Sequence, residues 1–166
     1  MRKTCIGVMG GAVADEATTA QARELGRLIA ENGWALISGG RQTGVMQASV
    51  TGASEAGGLT IGVLYDEDRE LGAKGLDIVI PTGMGAARNI INVLSSDVVV
   101  ACKGTGGTLS EVAIALRFGR PVVMLDFDPG EKFLNAGAAD ARWHLADTPA
   151  AAVEQVRKYL AENSSL

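Results

Sequence analysis

Short apolar runs alternate with amphipathic stretches along the chain. Thr4–Met9 (TCIGVM), Trp34–Ser38 (WALIS), Leu59–Leu64 (LTIGVL), Asp77–Pro81 (DIVIP), Asp97–Ala101 (DVVVA) and Pro121–Leu125 (PVVML) read as strands. Glu16–Asn32 predicts a helix with Ala22, Leu25, Leu28 and Ile29 on one face, Asp15 as its cap and Gly33 at its end. Val45–Ala56 predicts a second helix, stopped by Gly57-Gly58. Ala86–Ser95 predicts a third, and Thr108–Phe118 a fourth, closed by Gly119. Asp126–Asp140 has no clear period. Trp143–Leu145 reads as a short edge strand, and Thr148 caps a last helix with Pro149 in its first turn. The segment Tyr65–Leu76 (YDEDRELGAKGL) is the most polar and least periodic, which predicts a mobile surface loop.

Continuous Val/Ile/Leu strands, each followed by a helix, mean a parallel sheet covered on both faces. The expected fold is α/β: a Rossmann-like doubly wound sheet forming a single domain over residues 1–166, a length that supports one full core. In such sheets ligands bind beyond the carboxyl ends of the strands, near the switch in strand order.

Composition narrows the function. A net charge of −4 argues against a nucleic-acid surface. No apolar run approaches the ~20 residues of a membrane span, and no secretory signal is evident, so the cytoplasm is the expected compartment. Cys5 and Cys102 are far apart, and no His/Cys/Asp/Glu group has metal-ligand spacing, so no metal site is expected. Gly is frequent, with 22 residues, and the glycines collect where ligands bind. Four loops at strand ends carry them: Gly10-Gly11; Gly39-Gly40-Arg41-Gln42-Thr43-Gly44; Thr82-Gly83; and Gly104-Thr105-Gly106-Gly107-Thr108. Each of the last three precedes a helix N-terminus, where free N–H groups and the helix dipole favour an anion. Short strand-to-helix turns need glycine whatever they bind, so any one loop is equally a structural turn. The set favours a phosphorylated ligand.

The dinucleotide fingerprint G-x-G-x-x-G is absent after the first strand, and no acid ends the second strand, which excludes an ordinary NAD site. The P-loop pattern is also absent. Thr108-Leu109-Ser110-Glu111 matches a capping box, with Thr108 as N-cap and Glu111 reaching back to it. A carboxylate beside a phosphate cradle is equally placed to polarise a ribose or a water. Both readings of Glu111 stand on the sequence alone.

These motifs resemble the Lonely Guy family of Rossmann-like proteins, once misnamed lysine decarboxylases, and its molybdenum-cofactor carrier branch. The resemblance runs from Ile6 to about Lys158. Lys103–Glu111 (KGTGGTLSE) corresponds to the family's Pro-Gly-Gly-x-Gly-Thr-x-x-Glu. Gly39–Met46 (GGRQTGVM) corresponds to its Gly-Gly-Gly-x-x-Gly-Leu-Met, and Arg88-Asn89 to its Arg-Lys pair. The hydrolase members cleave cytokinin riboside 5′-monophosphates at the N-glycosidic bond. For them the resemblance implies catalytic roles for Arg88 and Glu111. Four departures weaken that implication: Lys103 for proline, Thr105 for glycine, Arg41 for glycine and Asn89 for lysine. A Thr at 105 disfavours a left-handed backbone there. Arg41 adds a guanidinium suited to an oxyanion. The stretches GWALISGGRQTGVM, AGGLTIGVL and TGMGAARNIINVLSS resemble the carrier branch, whose ligand is a pterin bearing a phosphate and a dithiolene-held oxometal. The expectation is therefore a binding protein that needs no cofactor of its own and takes a nucleotide or the molybdenum cofactor, with phosphoribohydrolase as the alternative. The resemblance also implies a homodimer or homotetramer.

His144, the only histidine, reads as structural, and Cys5 as a buried strand residue. Cys102 ends the fifth strand beside the cradle, and a packed small residue is the favoured reading. Asp126 and Asp128 follow the sixth strand on the same edge as the cradle and are assigned no role.

Overall fold

The computed structural model describes residues 2–163. It contains β1 (Cys5–Met9), α1 (Glu16–Glu31), β2 (Ala35–Ser38), α2 (Gly44–Glu55), β3 (Thr60–Leu64), β4 (Ile78–Pro81) and α3 (Asn89–Leu94). These are followed by β5 (Val98–Ala101), α4 (Gly106–Arg117), β6 (Val122–Leu125), α5 (Glu131–Leu134), β7 (Trp143–Ala146) and α6 (Pro149–Asn163). All seven strands described are parallel, in the order β4-β3-β2-β1-β5-β6-β7. The fold is thus the Rossmann-like single-domain α/β sheet the apolar pattern implies. The order reverses between β1 and β5, the two strands that hydrogen-bond at its centre.

The central strands β1, β2, β5 and β6 are buried almost throughout, which is why they read as unbroken apolar runs. One core lies beneath α1, α2 and α6, around Ile6, Val8, Leu25, Leu36, Val100 and Val156. The other lies beneath α3, α4 and α5, around Met9, Val99, Val112, Leu116, Met124 and Leu134. Asp15 caps α1, its Oδ1 accepting from Thr18 N at 2.7 Å. No helix among the described residues is long and apolar enough to cross a membrane.

Three elements differ from the sequence expectation. The third helix is α3 preceded by a 3₁₀ turn at Gly85–Arg88. The irregular stretch after β6 contains α5, a single turn too short to show a period. The fourth helix begins at Gly106 with Thr105 in the cap position, so Thr108 is its third residue and Glu111 its sixth. The capping box therefore does not form: two glycines, poor helix formers by propensity, are wound into the first turn.

The expected surface loop after β3 is tied down. Ala73 N donates to Gly40 O at 2.7 Å, Gln42 Nε2 donates to Glu70 O at 3.0 Å, and Arg41 and Gly72 form an isolated β-bridge. A polar segment with no period is here fixed by main-chain hydrogen bonds to the β2–α2 connection, a contact local patterning does not show.

Candidate functional site

A cavity of about 210 Å³ opens at the carboxyl end of β1, beside the reversal in strand order. Its lining comes from six places along the chain. The end of β1 and the following loop supply Val8 to Ala12, the β2 end Gly39 and Arg41, and α2 Met46. The residue after β3 supplies Tyr65, the 3₁₀ turn and α3 supply Arg88 and Asn89, and the α4 start supplies Thr105, Gly107, Thr108 and Glu111. All-parallel strands deliver these loops to one rim, because each strand exits in the same direction.

The α4 N-terminus is the uncapped side of this cavity. Thr105 makes no side-chain cap bond. The first N–H groups of a helix have no intrahelical acceptor, and among the described residues those of Gly106, Gly107 and Thr108 donate to no other group. Together with the dipole they form a fixed positive pole.

Arg88 lies across the floor. Its side chain is 12% exposed, with Nη1 3.8 Å from Glu111 Oε1, and Glu111 is 8% exposed. Arg88 Nε and Nη1 are enclosed and have no hydrogen-bond partner. Glu111 Oε1 accepts instead from Asn92 Nδ2 at 3.1 Å. Burial pushes the Glu111 carboxyl above its ordinary value, with Asn92 and Arg88 opposing. Burial pulls the Arg88 guanidinium down, Glu111 opposing and Arg41 adding to the fall. Gly39 makes room for this side chain: a Cβ there would stand 2.6 Å from Arg88 Nη2. Asn89 binds α3 to α4, its Nδ2 donating to Ser110 Oγ at 2.8 Å.

Arg41 guards the opposite side. Its guanidinium carbon lies 4.6 Å from the centre of the Tyr65 ring, and its Nε is 3.4 Å from Asp66 Oδ2. Two cationic side chains and one helix N-terminus thus face one cavity, and the carboxylate among its lining residues, Glu111, is desolvated. The arrangement suits an anionic small molecule.

Of the residues expected from sequence, Gly10, Gly11, Gly39, Arg41, Arg88, Thr105, Gly107, Thr108 and Glu111 line this cavity. Gly40, Thr43, Gly44, Thr82, Gly83, Gly104 and Gly106 do not. The β2–α2 turn spends its main-chain groups on the protein: Val45 N donates to Gly11 O, Gly40 N to Ser38 Oγ, and Gly40 O accepts from Ala73 N. Gly104 packs against Thr108 and Gly11. Thr82 Oγ1 donates to Leu64 O at 2.6 Å and Gly83 N to Asp66 O, closing the turn after the edge strand β4. Thr105 is extended, at φ −111° and ψ −155°, so threonine in place of glycine carries no backbone strain. Lys103 turns away to Asp126, with Nζ 2.7 Å from Oδ2. Cys102 is enclosed in the core.

Sequence reading missed Tyr65, Asn92 and the Met46 thioether. Two signals were available. Tyr65 is an aromatic at a strand end in a chain with 4% aromatics, and Asn92 follows Arg88 by one helical turn within an apolar run.

Fold and rim together define a Rossmann-like α/β protein with a small, positively lined cavity at the strand switch. The chain belongs to the SLOG cluster4 family, whose model matches residues 3–153. It is similar to the molybdenum cofactor binding protein of the phototrophic bacterium Rippkaea orientalis, at 45% identity, 96% coverage of this chain and 99% of that one, and a TM-score of 0.90. It is also similar to the molybdenum cofactor carrier protein of Chlamydomonas reinhardtii, at 46% identity, 96% and 99% coverage, and a TM-score of 0.88. A cytokinin riboside 5′-monophosphate phosphoribohydrolase of Mycobacterium tuberculosis is 34% identical over 126 residues, which is 69% of this chain and 67% of the relative.

Proposed function

We propose that this protein binds a phosphorylated pterin or nucleotide-like ligand at the switch-point cavity and holds it without turnover, as a carrier or store in which the molybdenum cofactor is the foremost ligand class. One observation carries this reading. Arg88, nearly enclosed, leaves Nε and Nη1 without hydrogen-bond partners in a cavity that also receives the free α4 N-terminus. Buried guanidinium N–H groups without hydrogen bonds are costly unless an acceptor such as an anion completes them. The ligand's phosphate sits at Gly107 and Thr108, and Arg88 supplies charge beneath it. The similarity to two molybdenum-cofactor proteins over nearly the whole chain supports the same ligand class.

A second reading is hydrolysis of a nucleoside 5′-monophosphate at its N-glycosidic bond, with Glu111 assisting departure of the base and Arg88 orienting the ribose phosphate. The pairing of these two side chains at 3.8 Å and the mycobacterial relative favour it. One experiment separates the readings. The protein is incubated with AMP and with N6-isopentenyl-AMP, and free base is measured by chromatography while binding is followed by thermal shift. The carrier reading expects stabilisation by ligand and no base. Base release abolished in Glu111→Ala establishes the hydrolase.

The same reading extends to assembly as a homodimer or homotetramer, as the family resemblance implies. Light scattering on the purified chain tests it, and a monomer mass removes this part.

A further inference from the structure

We propose that Arg41, held in place by Tyr65, is a second anion pole of the cavity and selects ligands that carry negative charge at both ends of a flat ring. The inference rests on the reading above, in which the first anion sits at the α4 N-terminus.

Position argues for two poles. Arg41 follows β2, and the α4 N-terminus follows β5. Between β2 and β5 lies only β1. Neighbouring strands are about 4.8 Å apart, so the strand ends that carry the two poles stand about 10 Å from each other across the rim. That span exceeds a single phosphate and matches a phosphate joined to a ring system with a further group at its far end. The Met46 thioether and the Tyr65 ring line the same cavity and give it apolar surface, which suits a flat ring.

The state of Arg41 argues that it is prepared for an anion. One face of its guanidinium rests on the Tyr65 ring at 4.6 Å. Its Nε edge is 3.4 Å from Asp66 Oδ2, an ion pair without a hydrogen bond, as that carboxylate oxygen has no hydrogen-bond partner. Among the described residues the guanidinium donates no hydrogen bond at all. Stacking and one long ion pair fix its plane while leaving its other N–H groups unspent. Tyr65 lines the cavity beside it and stands immediately before Asp66, so one short segment after β3 supplies both supports. That segment is itself tied to the β2 end by the Arg41–Gly72 bridge and the Ala73 N to Gly40 O bond. Tyr65 is therefore a positioning residue, and Arg41 the group that meets the ligand.

The test uses the full chain and three probes that share one nucleotide: AMP, N6-succinyl-AMP with carboxylates at the end opposite the phosphate, and N6-isopentenyl-AMP with an apolar group there. Affinities are measured by isothermal titration calorimetry. A charge-assisted contact at the far pole makes N6-succinyl-AMP bind the wild type about tenfold more tightly than AMP. Arg41→Gly removes this preference. Tyr65→Phe keeps it, and Tyr65→Ala loses most of it, with melting temperatures confirming that each variant is folded. Equal binding of AMP and N6-succinyl-AMP to the wild type overturns the inference and leaves the binding reading standing. So does tighter binding of N6-isopentenyl-AMP, or a preference that survives in Arg41→Gly or Tyr65→Ala. Failure of all three probes to bind the wild type overturns both.

Discussion

Arg88 and Glu111 form an incomplete pair: Nη1 lies 3.8 Å from Oε1, both side chains are nearly enclosed, and no hydrogen bond joins them. The reason is local. Asn92, one helical turn beyond Arg88, donates its amide to that same carboxylate oxygen and holds it on the α3 side. Two charges taken from water without mutual hydrogen bonds are poorly compensated. A site in this condition gains from a third charged or polar group, which is what a bound anion supplies to Arg88.

The pair makes stability depend on pH in a defined direction. Burial raises the Glu111 carboxyl from its ordinary 4.5, so between that value and the raised one the folded protein holds a proton that the unfolded chain has released. The contribution of Glu111 to stability is full below that ordinary value and is lost as pH rises through the raised native value. Glu111→Gln has no such proton and keeps an acceptor for Asn92. The melting temperature of the wild type relative to Glu111→Gln is expected to fall across that window, measured in steps from about pH 4 to about pH 8. A constant difference would contradict the assignment.

The α1–α2 contact sets a second expectation. Gly52 faces the backbone of Arg23, and an added Cβ would stand 2.8 Å from the Arg23 carbonyl carbon and nearer still to its oxygen. Backbone cannot step aside as a side chain can. Gly52→Ala is expected to cost about 1–3 kcal/mol through overpacking, outweighing the gain of ~1 kcal/mol that alanine brings to a helix interior. Urea denaturation measures it, and a stabilised variant would show that the helices separate freely.

Much of this was legible in the sequence because it rests on local pattern. The strands are continuous apolar runs since both faces are covered, and Arg88 and Glu111 stand in motifs that fix their place on the rim. What was not legible depends on partners distant in the chain. The fourth helix starts at Gly106 because the rim loop turns into it before Thr108, so the capping signature at Thr108–Glu111 describes hydrogen bonds that do not exist. The glycines at 40 and 44 read as a phosphate cradle, but the main chain around them bonds to Ser38, Ala73 and Gly11. Only the folded rim shows which amides are already used. Tyr65 was hidden for the same reason: its stack on Arg41 joins the ends of β2 and β3.

Cys102 shows how burial decides reactivity next to a rim. It follows β5 directly, yet its side chain is enclosed and burial pushes the thiol up to about 12. At about pH 8 almost no thiolate forms there, and the thiolate is the nucleophile. Alkylation followed by mass spectrometry is expected to leave Cys102 unmodified in the native protein and to label it promptly in denaturant. Rapid native labelling at Cys102 would mean that the core around Val8 and Val100 opens.

Gly107 offers the sharpest separation between a glycine required by the fold and one required by a ligand. It is the second residue of α4 and lines the cavity, and a Cβ added there meets no protein atom within 4 Å. Nothing in the protein forbids alanine, and helix propensity favours it by up to about 1 kcal/mol. Gly106, its neighbour, has equally open space but does not line the cavity. Gly106→Ala is therefore expected to keep both stability and binding of AMP. Gly107→Ala is expected to melt no lower than the wild type and to bind AMP at least tenfold more weakly, because the new methyl occupies the approach to amides whose unspent N–H groups attract the phosphate. Calorimetry with AMP, paired with thermal melts, reads both quantities on the same samples. Undiminished binding by Gly107→Ala would remove the α4 N-terminus from the site, whatever the fate of Arg88.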